Sequence, residues 1–109
     1  MLGRPHLVIP YGLVVNDARY VLPQGFGSPD DFFAIARAHL DRLRDDGDDV
    51  PRMMSIGLHS RISGNPARAD ALARFIDYGQ LLGDVWFARR IDIARTFIAQ
   101  QPAREWVSV

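Results

Sequence analysis

The chain has 109 residues, 13 basic and 13 acidic side chains, and no formal net charge. That length fits one small domain, read here as a single segment over 1–109, and zero net charge argues against a nucleic-acid or anionic-membrane binder working by bulk charge. With no cysteine there is no disulfide framework, thiolate nucleophile or cysteine metal site. No apolar run approaches the ~20 residues needed to span a bilayer, and the N-terminus shows no apolar signal core, so a cytoplasmic location is the expectation.

In chain order, His6 to Ile9 reads as a short buried strand closed by Pro10. Tyr11 to Gly27 reads as a long loop with turns, because Asn16-Asp17, Pro23 and the glycines interrupt its apolar pieces. Ser28-Pro29-Asp30-Asp31 is a helix start, with a serine cap, proline at the first helical position and two acids at the positive end of the dipole. Phe32, Phe33, Ala36, Leu40 and Leu43 follow at three- and four-residue spacing, and Gly47 can end the helix. Met53 to His59 reads as a buried strand ending at the histidine, in which Leu58→Ala is expected to cost about 2–5 kcal/mol.

Asn65-Pro66 opens a second helix, with Leu72, Phe75, Ile76 and Leu82 inside and Arg68, Asp70, Arg74 and Asp77 outside. Val85 to Ala88 reads as a third strand and Ile91 to Gln101 as a last helix stopped by Pro102. Strands alternating with amphipathic helices predict an α/β fold with parallel strands and right-handed crossovers.

The densest candidate site is Ser55 to Arg68, in which His59 stands at the end of an expected strand, followed by Arg61, Arg68 and a helix start. An imidazole can give or take a proton near neutral pH, and an arginine can hold a developing oxyanion. A capped strand-to-helix turn, with His59 bonded to backbone and Arg68 in a surface ion pair, explains the same residues, and the residues alone leave both readings open. Asn16-Asp17 is a turn pair that follows an apolar run and can line a pocket; Arg90 follows a strand and can face a ligand or form a salt bridge. Asp30-Asp31 is better explained as a cap than as paired carboxylates. No two histidines stand at a metal-ligand spacing, and no phosphate loop or nucleophile elbow occurs.

The segment Met54-Ser-Ile-Gly-Leu-His-Ser-Arg-Ile-Ser-Gly-Asn-Pro-Ala-Arg68 resembles the C-terminal signature of the polysaccharide deacetylase family. It is most similar to the branch with the bacterial allantoinases and peptidoglycan-deacetylase-like proteins. Ile9-Pro10-Tyr11 with Asn16-Asp17, Pro23 to Phe26, Phe32-Phe33, Phe75 to Tyr78, Val85 to Phe87 and Arg90 to Ala94 extend the resemblance over nearly the whole chain.

It implies the last third of a distorted (β/α) barrel that hydrolyses a carbon–nitrogen bond in an N-acetylated sugar or a small amide or ureide. It implies His59 as the late catalytic histidine that protonates the leaving nitrogen; Arg61, Arg68, Asn16, Asp17 and Arg90 stand beside it as the candidate substrate-binding groups read from the residues themselves. The family's Asp-Asp motif and His-x-x-x-His pair do not appear, so no cofactor is expected within this chain, although the complete enzyme is expected to use a divalent metal such as zinc. Ser60 stands where the family pattern has cysteine or aspartate.

The other reading is a catalytically inactive, self-associating remnant. Either way a homo-oligomer is expected, because strands cut from a barrel leave open edges and because Phe32, Phe33, Phe75, Trp86, Phe87 and Phe97 offer apolar surface.

Overall fold

The computed structural model describes residues 7–47 and 51–100. They form a 3₁₀ turn, Asp17–Tyr20, and the helices α1 (Pro29–Asp46), α2 (Ser60–Ser63), α3 (Pro66–Leu81) and α4 (Arg90–Gln100). The chain divides into two compact units: Tyr11–Val85, and Met1–Pro10 together with Trp86–Val109.

In the Tyr11–Val85 unit, α1 begins where its cap predicts. The Ser28 hydroxyl accepts the Asp31 N–H at 3.3 Å, and the Asp31 carboxylate accepts the Gly27 N–H at 2.9 Å, a reciprocal arrangement that satisfies donors the first helical turn leaves unpaired. Pro29 occupies the position where its missing N–H costs nothing. At the other end the Gly47 N–H closes onto the Arg44 carbonyl. Helix α3 starts the same way: Asn65 Oδ1 accepts the Ala67 N–H at 3.1 Å, with Pro66 first in the helix. Gly83, two residues past its end, has a φ of 80°, the left-handed conformation that favours glycine after a helix.

Phe32, Ala36 and Leu40 of α1 face Ala71 and Phe75 of α3, and Val15 and Phe26 complete the buried core. Ala36 and Ala71 are both fully buried, so the helices meet where neither carries a bulky side chain. Tyr20, Phe26 and Phe32 form an aromatic trio with ring centroids 5.3–5.9 Å apart, within the range in which such pairs attract beyond their buried area. Around the rim, Arg74 bonds Asp30 at 2.7 Å and lies over the Phe33 ring, while Tyr78 donates to Asp41.

The expected strands are not formed among the described residues. Residues 53–58 carry no regular structure and meet another segment at one parallel bridge, Asn16 with Gly57. Asp17 donates to the Gly57 carbonyl at 2.9 Å and Gly57 to the Val15 carbonyl at 3.1 Å. A strand is stabilised by a ladder of such bonds to neighbours, and here the ladder is one rung long. Leu58, read as buried, is 46% exposed, which removes the basis for a large cost on truncation. Val85 to Ala88 carries no regular structure, with Trp86 63% exposed. Residues 7–9 are likewise irregular, and His6 lies outside the described residues. Among the described residues the α/β alternation read from the sequence is thus present in its helices, with a single isolated bridge where the parallel sheet was expected.

Both helices read around the core are present, with Ile76 at the exposed margin of α3 rather than inside. Phe32 and Phe75, counted as surface for self-association, are core residues. The short α2 was not foreseen.

In the other unit, α4 starts at Arg90 rather than Ile91 and has no buried residue among those described; Gln101 and Pro102 lie outside them. Arg89 grips Asp92 with two bonds of 2.8 and 3.1 Å, placing an acid in the first turn where the helix dipole favours it. Among the described residues no helix is long and apolar enough to cross a membrane.

Candidate functional site

The single bridge matters because it places the 3₁₀ turn beside the segment that ends at His59. Asn16 caps that turn: its Oδ1 accepts the Ala18 N–H at 2.9 Å and its Nδ2 donates to the Gly12 carbonyl at 3.3 Å. A Cβ on Gly57 would overlap the Asn16 amide, so the close approach of the two segments requires a residue without a side chain. Asp17, next in the chain, is thereby directed inward and is fully buried.

The Asp17 carboxylate is surrounded by donors from one turn of chain 42–46 residues away. Oδ1 lies 2.7 Å from His59 Nδ1, while Oδ2 accepts the His59 backbone N–H at 2.6 Å and the Ser63 hydroxyl at 2.8 Å. Burial by itself pushes this carboxyl up, but the two His59 contacts and the Ser63 hydroxyl outweigh it and hold it below its ordinary value of 3.8. An ionised carboxylate only accepts hydrogen bonds, so the proton between the pair belongs to Nδ1. The imidazole itself is open, its side chain 56% exposed, and Nε2 is left for an external partner. A buried acid thus holds an accessible histidine in one orientation and one tautomer.

The remaining expected site residues divide sharply. Arg61 is exposed on α2, two residues from His59. Arg68 is half-buried; its guanidinium lies 4.7 Å from the centre of the Tyr20 ring and its Nη1 is 3.5 Å from the Ile62 carbonyl. Asn16 and Asp17 are both buried with their polar atoms engaged within the protein. Arg90 is in the other unit, where it donates to the Ile9 carbonyl at 2.6 Å. Sequence reasoning singled out Asp17 without its partner and gave Ser63, inside the Ser55 to Arg68 stretch, no role; the available signal was a turn acid directly after an apolar run. It also missed Tyr20, whose hydroxyl is buried with no hydrogen-bond partner and whose pKa burial pushes above 10.

No family model matches the chain. A Schizosaccharomyces pombe protein described as a polysaccharide deacetylase is 39% identical over 97 residues, 88% of this chain and 30% of that protein. A crystal structure of a Pseudomonas aeruginosa PAO1 protein, also described as a polysaccharide deacetylase, matches with a TM-score of 0.87 at 49% identity, over 91% of this chain and 33% of the other. The chain is a relative of the polysaccharide deacetylases. The crystal structure of the Puue allantoinase matches it equally well, with a TM-score of 0.88, 51% identity and coverage of 92% of this chain and 33% of that one. This deacetylase relative therefore spans about a third of the length of the proteins it matches.

The divalent metal that the family resemblance implies finds no fit in the described part of this deacetylase relative. No three His, Cys, Asp or Glu side chains gather among the described residues. Asp17 and His59 Nδ1 are spent on each other, which leaves only Nε2 for a ligand.

Proposed function

We propose that the chain is part of a hydrolase acting on non-peptide carbon–nitrogen bonds, in an N-acetylated sugar or a small amide or ureide, and that His59 is its late acid. The observation that carries this reading is the pairing of a fully buried carboxylate with an exposed imidazole. When a tetrahedral intermediate collapses, the nitrogen leaves poorly as an anion and needs a proton as the bond breaks. Nε2–H of a protonated His59 can supply it. The imidazole left behind is the Nδ1–H tautomer, the form the Asp17 carboxylate already holds, so the donation requires no rearrangement at Asp17.

In this reading Arg61, exposed beside His59, offers its charge to the oxyanion. Asp17 and Asn16 position the histidine rather than touch substrate, Arg68 braces the turn from the Tyr20 ring, and Arg90 has no assigned part. The zinc and the base come from outside the described residues.

A chimera in which this chain replaces the matching third of the Puue allantoinase tests the proposal, with allantoin and N-acetylated oligosaccharides as substrates. His59→Ala in an active chimera is expected to lower turnover by about 10²–10⁴-fold without unfolding it; turnover unchanged by that substitution refutes the role. A folded but inactive chimera supports the other reading, a non-catalytic module. Self-association is part of the proposal on the strength of exposed Leu13, Val14 and Leu58 in one unit and Trp86 and Phe87 in the other, and light scattering of the purified chain checks it: a monodisperse monomer rejects it.

A further inference from the structure

The two oxygens of Asp17 are used unequally. Oδ1 serves one donor, His59 Nδ1, whereas Oδ2 serves two, the His59 backbone N–H and the Ser63 hydroxyl. Those two donors belong to the same short turn: the Ile62 and Ser63 N–H groups both close onto the His59 carbonyl at 2.9 Å. Ser63 therefore stands one helical turn beyond the histidine, and Ile62 and Ser63 are the buried residues of α2.

A carboxylate is a broad two-fold rotor about its Cβ–Cγ bond. Without Ser63 both contacts on the carboxylate come from His59 itself, one on each oxygen; the Ser63 hydroxyl is the anchor independent of that residue, and with it two donors reach Oδ2 and fix the carboxylate plane and hence the direction in which Oδ1 points. From this geometry we infer that Ser63 is a positioning residue, whose hydroxyl locks the Asp17 carboxylate so that Oδ1 holds His59 as the Nδ1–H tautomer with Nε2 presented outward. The hydroxyl donates and remains on Ser63; no bond is made or broken. The inference deepens, and for its catalytic meaning rests on, the reading of His59 as the reacting group.

The rival explanation is that Ser63 only satisfies a buried acid and contributes to stability. The two separate in the ring of His59. On the full chain labelled with ¹⁵N-histidine, long-range proton–nitrogen correlations distinguish Nδ1–H from Nε2–H at pH values where the ring is neutral, with His39 on α1 as an internal reference.

The wild-type chain is expected to show His59 as Nδ1–H alone. Ser63→Ala is expected to convert that signal to a mixture of tautomers, and Ser63→Thr, which restores a hydroxyl, to recover it. A His59 that stays wholly Nδ1–H in a folded Ser63→Ala chain overturns the inference, whatever the melting temperature does. Should Ser63→Ala fail to fold, Ser63→Cys, similar in size and a weak donor, decides on the same criterion. The readout involves no substrate, so an inactive chimera counts against the proposed reaction and leaves the role of Ser63 standing, while an unchanged ring signal removes Ser63 and leaves the reaction standing.

Discussion

Asp17→Asn keeps the shape of the buried side chain and removes its charge, so it isolates what the carboxylate contributes. Asparagine has one acceptor oxygen where aspartate has two. The only placement that keeps the invariant backbone donor satisfied puts that oxygen at the Oδ2 position, facing the His59 N–H and the Ser63 hydroxyl. The amide NH₂ then faces His59 Nδ1, which must accept instead of donate, and the ring is driven to the Nε2–H tautomer. All three contacts survive, but each falls from a charge-assisted hydrogen bond worth about 2 kcal/mol to a neutral one worth about 1 kcal/mol. The expected loss is about 2–4 kcal/mol, measured by urea unfolding of the chain with circular dichroism. In an active chimera the wrong tautomer should lower turnover by about 10³–10⁴-fold, the order lost when the acid of a Ser-His-Asp triad is replaced by its amide. A stability loss below about 0.5 kcal/mol together with an unchanged Nδ1–H signal would refute the argument that the carboxylate is ionised and holds the ring.

Because Asp17 is held below the ordinary carboxylate value of 3.8, the unfolded chain binds its proton first on acidification. Its contribution to stability is therefore fully present above that value and is lost as pH falls through the lower folded one; unfolding midpoints measured from about pH 6 to about pH 3 should fall more for wild type than for Asp17→Asn. Gly57→Ala is expected to cost about 1–3 kcal/mol, because the new Cβ must displace the Asn16 amide from its cap on the 3₁₀ turn; thermal denaturation reads it, and a neutral result would show that the bridge is not close-packed. Phe32→Ala, at a site 1% exposed in the centre of the aromatic trio, should cost about 3–5 kcal/mol, while exposed Leu58→Ala should cost under about 1 kcal/mol; the reverse order would restore the buried-strand reading of 53–59.

What the sequence determined by itself is local. Ser28-Pro29-Asp30-Asp31 and Asn65-Pro66 mark helix starts because caps act within three residues, and Phe32, Ala36 and Leu40 mark the inner face because helical neighbours recur every four. The histidine block was also conspicuous, as a cluster of functional residue types in one stretch. The strands could not be settled from the sequence because an apolar run such as Met53 to Leu58 states only a preference; a strand exists when a second segment lies alongside it, and among the described residues a single rung joins Gly57 to Asn16. Asp17 was visible as a turn residue but not as the partner of His59, and Ser63 lay within the histidine block with no role assigned to it. Their contacts cross 42 and 46 residues of chain, a separation over which no periodicity or capping rule operates. Only the tertiary structure decided that pairing, because a charge can be buried so completely only where folding gathers donors enough to replace its water.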